Sequence, residues 1–358
     1  MSRRYILAPT VLTLLSLVAV ACGGGGGSPQ PPGSASPSSE ASASADPSDG
    51  PSQEPVALTV GLGYIPSVQF AQFYLADQAG YYEDAGLDVT FQNKIDPDLV
   101  TLVGQGSIDL GLADGTSVIP AVSNGIPIRY VATIYGRFPS IVFAKASSGI
   151  AEAKDLEGMK LGIPGRFGSS WIMLQALLQS ANLTPDDVDI VEYPDFGQGA
   201  AVAQGAVDAA TGFANNEPVQ LELTGEEVSI LRVDEVTPLP GNGLIVGQAA
   251  LESKGDAIAA FVAATLRAME EISDDPDAGV DAAISAVPDL GTSRDTQSAI
   301  LDATIDVWRG PVQEASGLGA IDPGAWEESV DFMTELGLVP NPVTVDDLID
   351  PGLLPQTG

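Results

Sequence analysis

The chain contains no histidine, and its one cysteine, Cys22, lies close to the N-terminus. Without histidine there is no side chain whose ordinary pKa falls near neutrality, and the commonest protein ligand for metals is missing. Serine–histidine and cysteine–histidine catalysis are excluded. A single cysteine can form neither an intramolecular disulfide nor a multi-thiolate metal site. Basic residues are scarce too: 14 Lys and Arg stand against 48 Asp and Glu, a formal net charge of -34. No basic face is left for phosphates, so nucleic acid is not an expected partner. The balance suits solubility and an acidic surface outside a cell. Nothing in the composition calls for a cofactor.

The N-terminus has its own pattern. Arg3 and Arg4 precede a mostly apolar stretch, Ile6 to Val20, interrupted by Pro9 and ending in Ala19-Val20-Ala21 before Cys22. A charged start, a short apolar run and small residues before a break read as a secretory signal over 1–21. Small residues immediately before a cysteine resemble a bacterial lipoprotein signal. On that resemblance Cys22 would carry the lipid and become the mature N-terminus; the alternative is an ordinary signal that ends near a cysteine. Residues 22–55 are almost entirely Gly, Ser, Pro, Ala, Asp and Glu, including an unbroken run from Gly23 to Gly27. Such a composition cannot bury enough apolar surface to offset its ordering entropy, and reads as a flexible tether.

The remainder is long enough for two α/β domains. Apolar runs bounded by polar turns alternate with segments of helical spacing. In the first round, strands are expected at 57–62, 87–91, 110–113, 128–134 and 140–144, and helices at 70–81, 99–106 and 118–123. In the second, strands are expected at 160–163, 190–193, 209–212 and 228–232, and helices at 169–181 and 200–205. From a strand at 244–246 the chain reads as largely helical to about Leu336. The alternation implies an α/β fold of mostly parallel sheets with helices on both faces. An internal echo suggests two related halves: Gly104-Gln105-Gly106-Ser107-Ile108-Asp109-Leu110-Gly111 is similar to Gln204-Gly205-Ala206-Val207-Asp208-Ala209-Ala210. Each is a helix end with glycine, then an aspartate, then a small apolar strand.

Four segments in order carry a family resemblance. Gly80-Tyr81-Tyr82-Glu83-Asp84-Ala85-Gly86-Leu87-Asp88-Val89, Gln105 to Gly111, Leu156 to Gly165 and Phe213-Ala214-Asn215-Asn216-Glu217-Pro218 resemble motifs of solute-binding proteins for nitrate, sulfonates, taurine and thiamine-precursor pyrimidines. The resemblance implies a type II periplasmic-binding-protein fold, two α/β lobes joined by two crossover strands. It places the crossovers near 143–147 and 240–247, lobe one at 56–143 plus 248–345, lobe two at 147–240, and a C-terminal tail at 346–358. It also implies an extracytoplasmic, lipid-anchored, monomeric binding subunit that hands a small molecule to the permease of an ABC importer.

In open α/β sheets ligands sit beyond the carboxyl ends of the strands, which marks candidates without reference to any family. Tyr64 follows the first strand and is either a stacking ring or a residue of a surface turn. Asp114 and Thr116 follow the third, as a ligand contact or as a helix cap. Tyr135 and Arg137 follow another, and Arg137 could pair with an acidic ligand or a nearby carboxylate. In lobe two, Gly168 permits close backbone approach, Ser169 and Ser170 offer hydroxyls, and Trp171 stacks on a ligand or fills the core. Asn215 and Glu217 follow the 209–212 strand, where a carboxylate can accept from an aminopyrimidine or complement a helix dipole. Asn242 lies between two glycines at the second crossover.

Fold alone does not set the ligand. The cations near these loops are few, Arg137, Arg166 and Lys145, and the aromatic and amide content suits a flat hydrogen-bonding heterocycle. A thiamine-precursor pyrimidine is the first expectation, with a flavin or a sulfonate, taurine or nitrate as alternatives. The same fold includes a synthase that makes the thiamine pyrimidine using histidine and a cysteine-rich segment; this chain lacks both, so no enzyme is expected. A ligand-sensing subunit is the other rival.

Overall fold

The computed structural model describes residues 54–93 and 98–355. The expected signal, Cys22 and nearly all of the expected tether lie outside these residues. In chain order the elements begin with β1 (Val56–Gly61), α1 (Ala71–Gln78), α2 (Tyr81–Asp84), β2 (Leu87–Gln92), α3 (Leu99–Gly104), β3 (Leu110–Ala113), α4 (Gly115–Ser123), β4 (Ile128–Thr133) and β5 (Ser140–Lys145). They continue with β6 (Lys160–Ile163), α5 (Gly168–Ser180), β7 (Asp189–Glu192), α6 (Gln198–Ala203), β8 (Ala209–Phe213), α7 (Glu217–Glu222), β9 (Val228–Arg232) and β10 (Gly243–Gly247). The C-terminal part is helical: α8 (Gln248–Asp274), α9 (Pro276–Ala286), α10 (Arg294–Trp308), α11 (Pro311–Ser316), α12 (Pro323–Glu335) and α13 (Val345–Leu348).

Two five-stranded sheets result, in the orders β2-β1-β3-β10-β4 and β7-β6-β8-β5-β9. Within each, three strands pair in parallel: β1 with β2 and β3, and β6 with β7 and β8. The fourth strand in each order is antiparallel to its neighbours, β10 in the first sheet and β5 in the second. It is the strand on which the chain arrives from the other lobe. This is the type II periplasmic-binding-protein arrangement. Parallel strands therefore deliver their carboxyl ends, and the arriving strands their amino ends, to one side of each sheet.

The internal echo is structural. Gly106 and Gly205 both hold left-handed backbone, with φ of 73° and 70°, closing α3 and α6. Beyond each, an aspartate pairs with a residue of a neighbouring strand, Thr59 within β1 and Lys160 at the start of β6. Asp109 takes the Thr59 N–H on its carboxylate at 2.9 Å and donates its own N–H to the Thr59 carbonyl at 3.0 Å. Asp208 does the same with Lys160, both bonds 2.8 Å.

Four expectations are corrected. The helix read over 70–81 is broken at Gly80, whose φ of 75° ends α1 and redirects the chain into α2. The first crossover is not at 143–147. β5 lies between β8 and β9 in the second sheet, and five of its six residues are buried, so the chain has already crossed at 134–139. The lobe-one sheet thus takes in 56–133 and the strand from Gly243, and the lobe-two sheet spans 140–232, so the second crossover likewise lies earlier than the expected 240–247, at 233–242. The stretch 346–358 is no appended tail as far as it is described. Leu348 and Ile349 are buried, Ile349 bridges to Tyr130, and the Asp350 N–H donates to the Tyr130 carbonyl, which covers the edge strand β4.

The crossovers are packed against each other. The Asn242 carbonyl accepts from the Ile134 and Tyr135 N–H groups at 3.0 and 2.8 Å. A Cβ on Gly241 would lie 2.1 Å from the Tyr135 carbonyl oxygen, so only glycine lets the two strands approach this closely.

Candidate functional site

The strand tips of both sheets converge on one cavity of about 410 Å³. Lobe one supplies the segment after β1 with Tyr64, Gln69, Phe70 and Gln72, the α3 start, Asp114 after β3, and Tyr135 after β4. Lobe two supplies Phe167 to Ser170 after β6, Phe196 after β7, Gln198 on α6, Phe213 at the end of β8, and Asn216 and Glu217 beyond it. Asn242, immediately before β10, completes the wall.

Aromatic rings dominate the sides. Tyr64 of lobe one meets Phe196 of lobe two edge-to-face, with centroids 5.5 Å apart. Phe196 makes this contact from a left-handed backbone with φ of 59°, rarely adopted by a residue with a Cβ and costing of order 1–3 kcal/mol. Phe167 is 56% exposed and folds its ring over Gly165 at the mouth. Burial and the nearby Glu217 charge push the Tyr64 hydroxyl up to about 12, so it stays protonated and able to donate.

Two carboxylates face the cavity from opposite lobes. Asp114 caps α4: its carboxylate accepts from the Ser117 N–H at 3.1 Å and from the Thr116 hydroxyl. It is also reached by Ser169 of lobe two. Glu217 opens α7 and accepts from the Phe213 N–H at 2.9 Å. Burial raises both carboxyls above their usual range, against the lowering effect of these donors.

A buried amide ties the lobes together. The Asn215 side-chain NH₂ lies 3.0 Å from Gln69 Oε1, 2.9 Å from Thr304 Oγ1 and 3.4 Å from the Tyr135 hydroxyl, all on lobe one. Gln69 is itself oriented by donating its amide to Ser67 Oγ, and Thr304 by donating to the Ile300 carbonyl.

Of the residues expected from the sequence, Tyr64, Asp114, Tyr135, Gly168, Ser169, Ser170, Glu217 and Asn242 line the cavity. Four do not. Thr116 is fully buried and serves Asp114. Arg137 points to the outside, donating to the Arg309 carbonyl at 3.2 Å. Trp171 packs on the lobe-two core, with the Arg166 guanidinium 5.1 Å from its ring centre. Asn215 is 1% exposed and spent on the interlobe contact. Sequence reading passed over Gln69, Gln72, Phe196, Gln198 and Thr304. Phe196 lies beyond the β7 tip and was open to the strand-end rule, whereas Thr304 is mid-helix in α10 and carried no signal. Among the described residues, no His, Cys, Asp and Glu group could hold a metal.

A model of the family described as NMT1/THI5 like matches residues 67–279. The riboflavin-binding protein RibY of Chloroflexus aurantiacus is 34% identical over 293 residues, covering 80% of this chain and 83% of that protein. The formylaminopyrimidine-binding protein of Halalkalibacterium halodurans is 26% identical over 297 residues, covering 80% of this chain and 88% of that protein. The crystal structure of the periplasmic aliphatic sulphonate-binding protein SsuA from Escherichia coli superposes with a TM-score of 0.67 at 20% identity, covering 84% of this chain and 99% of that one. At that identity the last match speaks for the fold.

Proposed function

The chain belongs to the NMT1/THI5-like family, and from that premise we propose that it is the extracytoplasmic substrate-binding subunit of an ABC importer, capturing a flavin of the riboflavin type in the interlobe cavity. The aromatic wall of that cavity carries the reading. Rings from both lobes, Tyr64, Phe70, Phe167, Phe196 and Phe213, surround a space in the range that holds drug-sized ligands. Offset or edge-on contact with such rings favours a flat fused heterocycle. A single substituted pyrimidine, the first expectation from the sequence, would leave much of about 410 Å³ unfilled. The relative at 34% identity supports the same choice. Glu217, Asn242, Gln72 and Gln198 supply polar groups to fix the ring edge and the side chain of such a ligand.

Capture without chemistry fits a chain with no histidine. Delivery requires a permease, and lipidation of Cys22 would hold the domain, as a monomer, near it. Binding is tested by titrating riboflavin into the protein and following flavin fluorescence, which ring stacking quenches, beside a thermal-shift panel of pyrimidines, taurine, alkanesulfonates and nitrate. Saturable quenching with a raised Tm is expected for riboflavin. A raised Tm with a pyrimidine or a sulfonate, and silence from riboflavin, would replace the flavin by that compound.

A further inference from the structure

We propose that Asp114 and Glu217 make the cavity an anion-excluding filter, so that it takes the unphosphorylated form of its heterocycle and rejects the phosphate ester. The inference rests on reading this cavity as the ligand site. Three observations carry it.

First, no Lys or Arg is among the described residues that line the cavity. Three cations near these loops in the sequence are engaged elsewhere. Lys145 pairs with Glu226 at 2.9 Å, Arg166 with Glu192 at 3.4 Å and with the Trp171 ring, and Arg137 with the Arg309 carbonyl.

Second, helix N-termini that would otherwise attract a phosphate are occupied by the chain's own carboxylates. Asp114 fills the N-terminus of α4 by accepting from the Ser117 N–H. Glu217 sits in the first turn of α7. The N-terminus of α5 has no side-chain cap, but Asp114 reaches across to its Ser169. An incoming phosphate at α5 therefore meets a carboxylate.

Third, three side-chain oxygens on residues of the wall are acceptors without a donor. Gln72 Oε1, Gln198 Oε1 and Asn242 Oδ1 are buried without a hydrogen-bond partner, and all three residues line the cavity. Hydroxyl and N–H groups of a neutral ligand satisfy such atoms, whereas phosphate oxygens, being acceptors, cannot.

The consequence for a reaction sequence is direct. Where the heterocycle outside the cell is a phosphate ester, a phosphomonoester hydrolysis must precede capture: water attacks phosphorus, the ester P–O bond breaks, and free alcohol and inorganic phosphate leave. Phosphorylation of the captured compound belongs after import.

Two probe pairs test this by calorimetry on the full chain: riboflavin against flavin mononucleotide, and 4-amino-5-hydroxymethyl-2-methylpyrimidine against its phosphate. The parent alcohol that binds is expected to exceed its phosphate by at least about 100-fold. In the Asp114→Asn/Glu217→Gln double variant, both amide oxygens can keep the cap and the Phe213 contact. There the preference should narrow by about tenfold or more, whatever happens to the parent's own affinity. Equal binding of parent and ester, or a preference that the double variant leaves unchanged, overturns the filter. If the pyrimidine pair binds with the expected preference and riboflavin does not, the filter stands and the flavin assignment falls. Silence from all four probes overturns both. Circular dichroism of the variant checks that it is folded.

Discussion

Replacing Asn215 by alanine should loosen the closed form of the molecule and weaken ligand binding. The amide has two protons and three acceptors within reach, Gln69 Oε1, Thr304 Oγ1 and the Tyr135 hydroxyl, so it makes two good bonds at a time. Each such bond contributes about 0.5–1.5 kcal/mol net. Losing two removes about 1–3 kcal/mol, and leaves Gln69 Oε1 buried without a donor, since its own amide nitrogen is turned to Ser67. All partners of Asn215 belong to lobe one, while Asn215 follows β8 in lobe two. The loss therefore falls on the state in which the lobes touch and spares the separated state. An equilibrium between the two moves by the same energy. At 1.4 kcal/mol per factor of ten, the affinity of a ligand that needs closure should fall about 5- to 150-fold. Titration calorimetry reads the affinity, and small-angle scattering reads a larger radius of gyration for the ligand-free variant. Thr304→Val should do the same more weakly, and the double variant should cost less than the sum, because both substitutions remove one shared bond. Unchanged affinity together with an unchanged scattering profile for Asn215→Ala would refute the reasoning.

Other residues give sharper contrasts. Glu217→Gln should weaken ligand binding by about tenfold, the cost of a charged hydrogen bond, whereas Arg137→Gln should leave affinity within about twofold because Arg137 faces away from the cavity; the reverse order in calorimetry would mean that the ligand is an anion. The same Glu217→Gln change should stabilise the ligand-free protein above the raised pKa of Glu217, where wild type carries the cost of a buried charge. That cost is relieved as pH falls through the folded-state pKa, so the Tm advantage of the variant should shrink on acidification. An advantage that instead grew on acidification would contradict burial as the cause. Gly241→Ala should lower stability by about 1–3 kcal/mol, since its Cβ must displace the Tyr135 carbonyl between the crossovers; an unchanged midpoint in denaturant titration would show that these strands yield easily.

Local patterns carried the sequence reading wherever a local cause acts. The alternation of apolar runs placed the strands within a residue or two, because burial on both faces demands such runs. Candidates chosen from the tips of strands fell on the cavity when the backbone alone fixes their position, as for Tyr64, Asp114 and Gly168. Errors came where the deciding partner is distant in the chain. β5 is an apolar strand that either sheet could accept, and its place between β8 and β9 depends on pairings with residues about 65 to 90 positions later. Trp171 and Ser170 are neighbours, yet one packs on the lobe-two core and the other lines the cavity, because successive helical residues point in different directions. Gln69 and Thr304 carried no signal at all, for their role exists only once Asn215 of the other lobe arrives between them.

That division between local and distant causes also explains why the two halves share a motif but not a site. Asp109 and Asp208 do the same work in each lobe, tying a glycine-closed helix to a neighbouring strand through one backbone bond and one bond to the carboxylate. The requirement is local and recurs in both. The cavity has no such repeat. Lobe one offers Tyr64 and Asp114; lobe two offers Phe196, Ser169 and Glu217; and the contacts that matter, Tyr64 on Phe196 and Ser169 toward Asp114, each take one member from either side. Neither lobe alone encloses the space. The cavity exists where the two lobes meet, and the strained backbone at Phe196 and the desolvated carboxylates at Asp114 and Glu217 are costs concentrated on that one face. Substitutions that relieve those costs should make the ligand-free molecule more stable and a poorer binder at once, whereas substitutions at Asp109 or Asp208 should lower stability without reshaping the cavity.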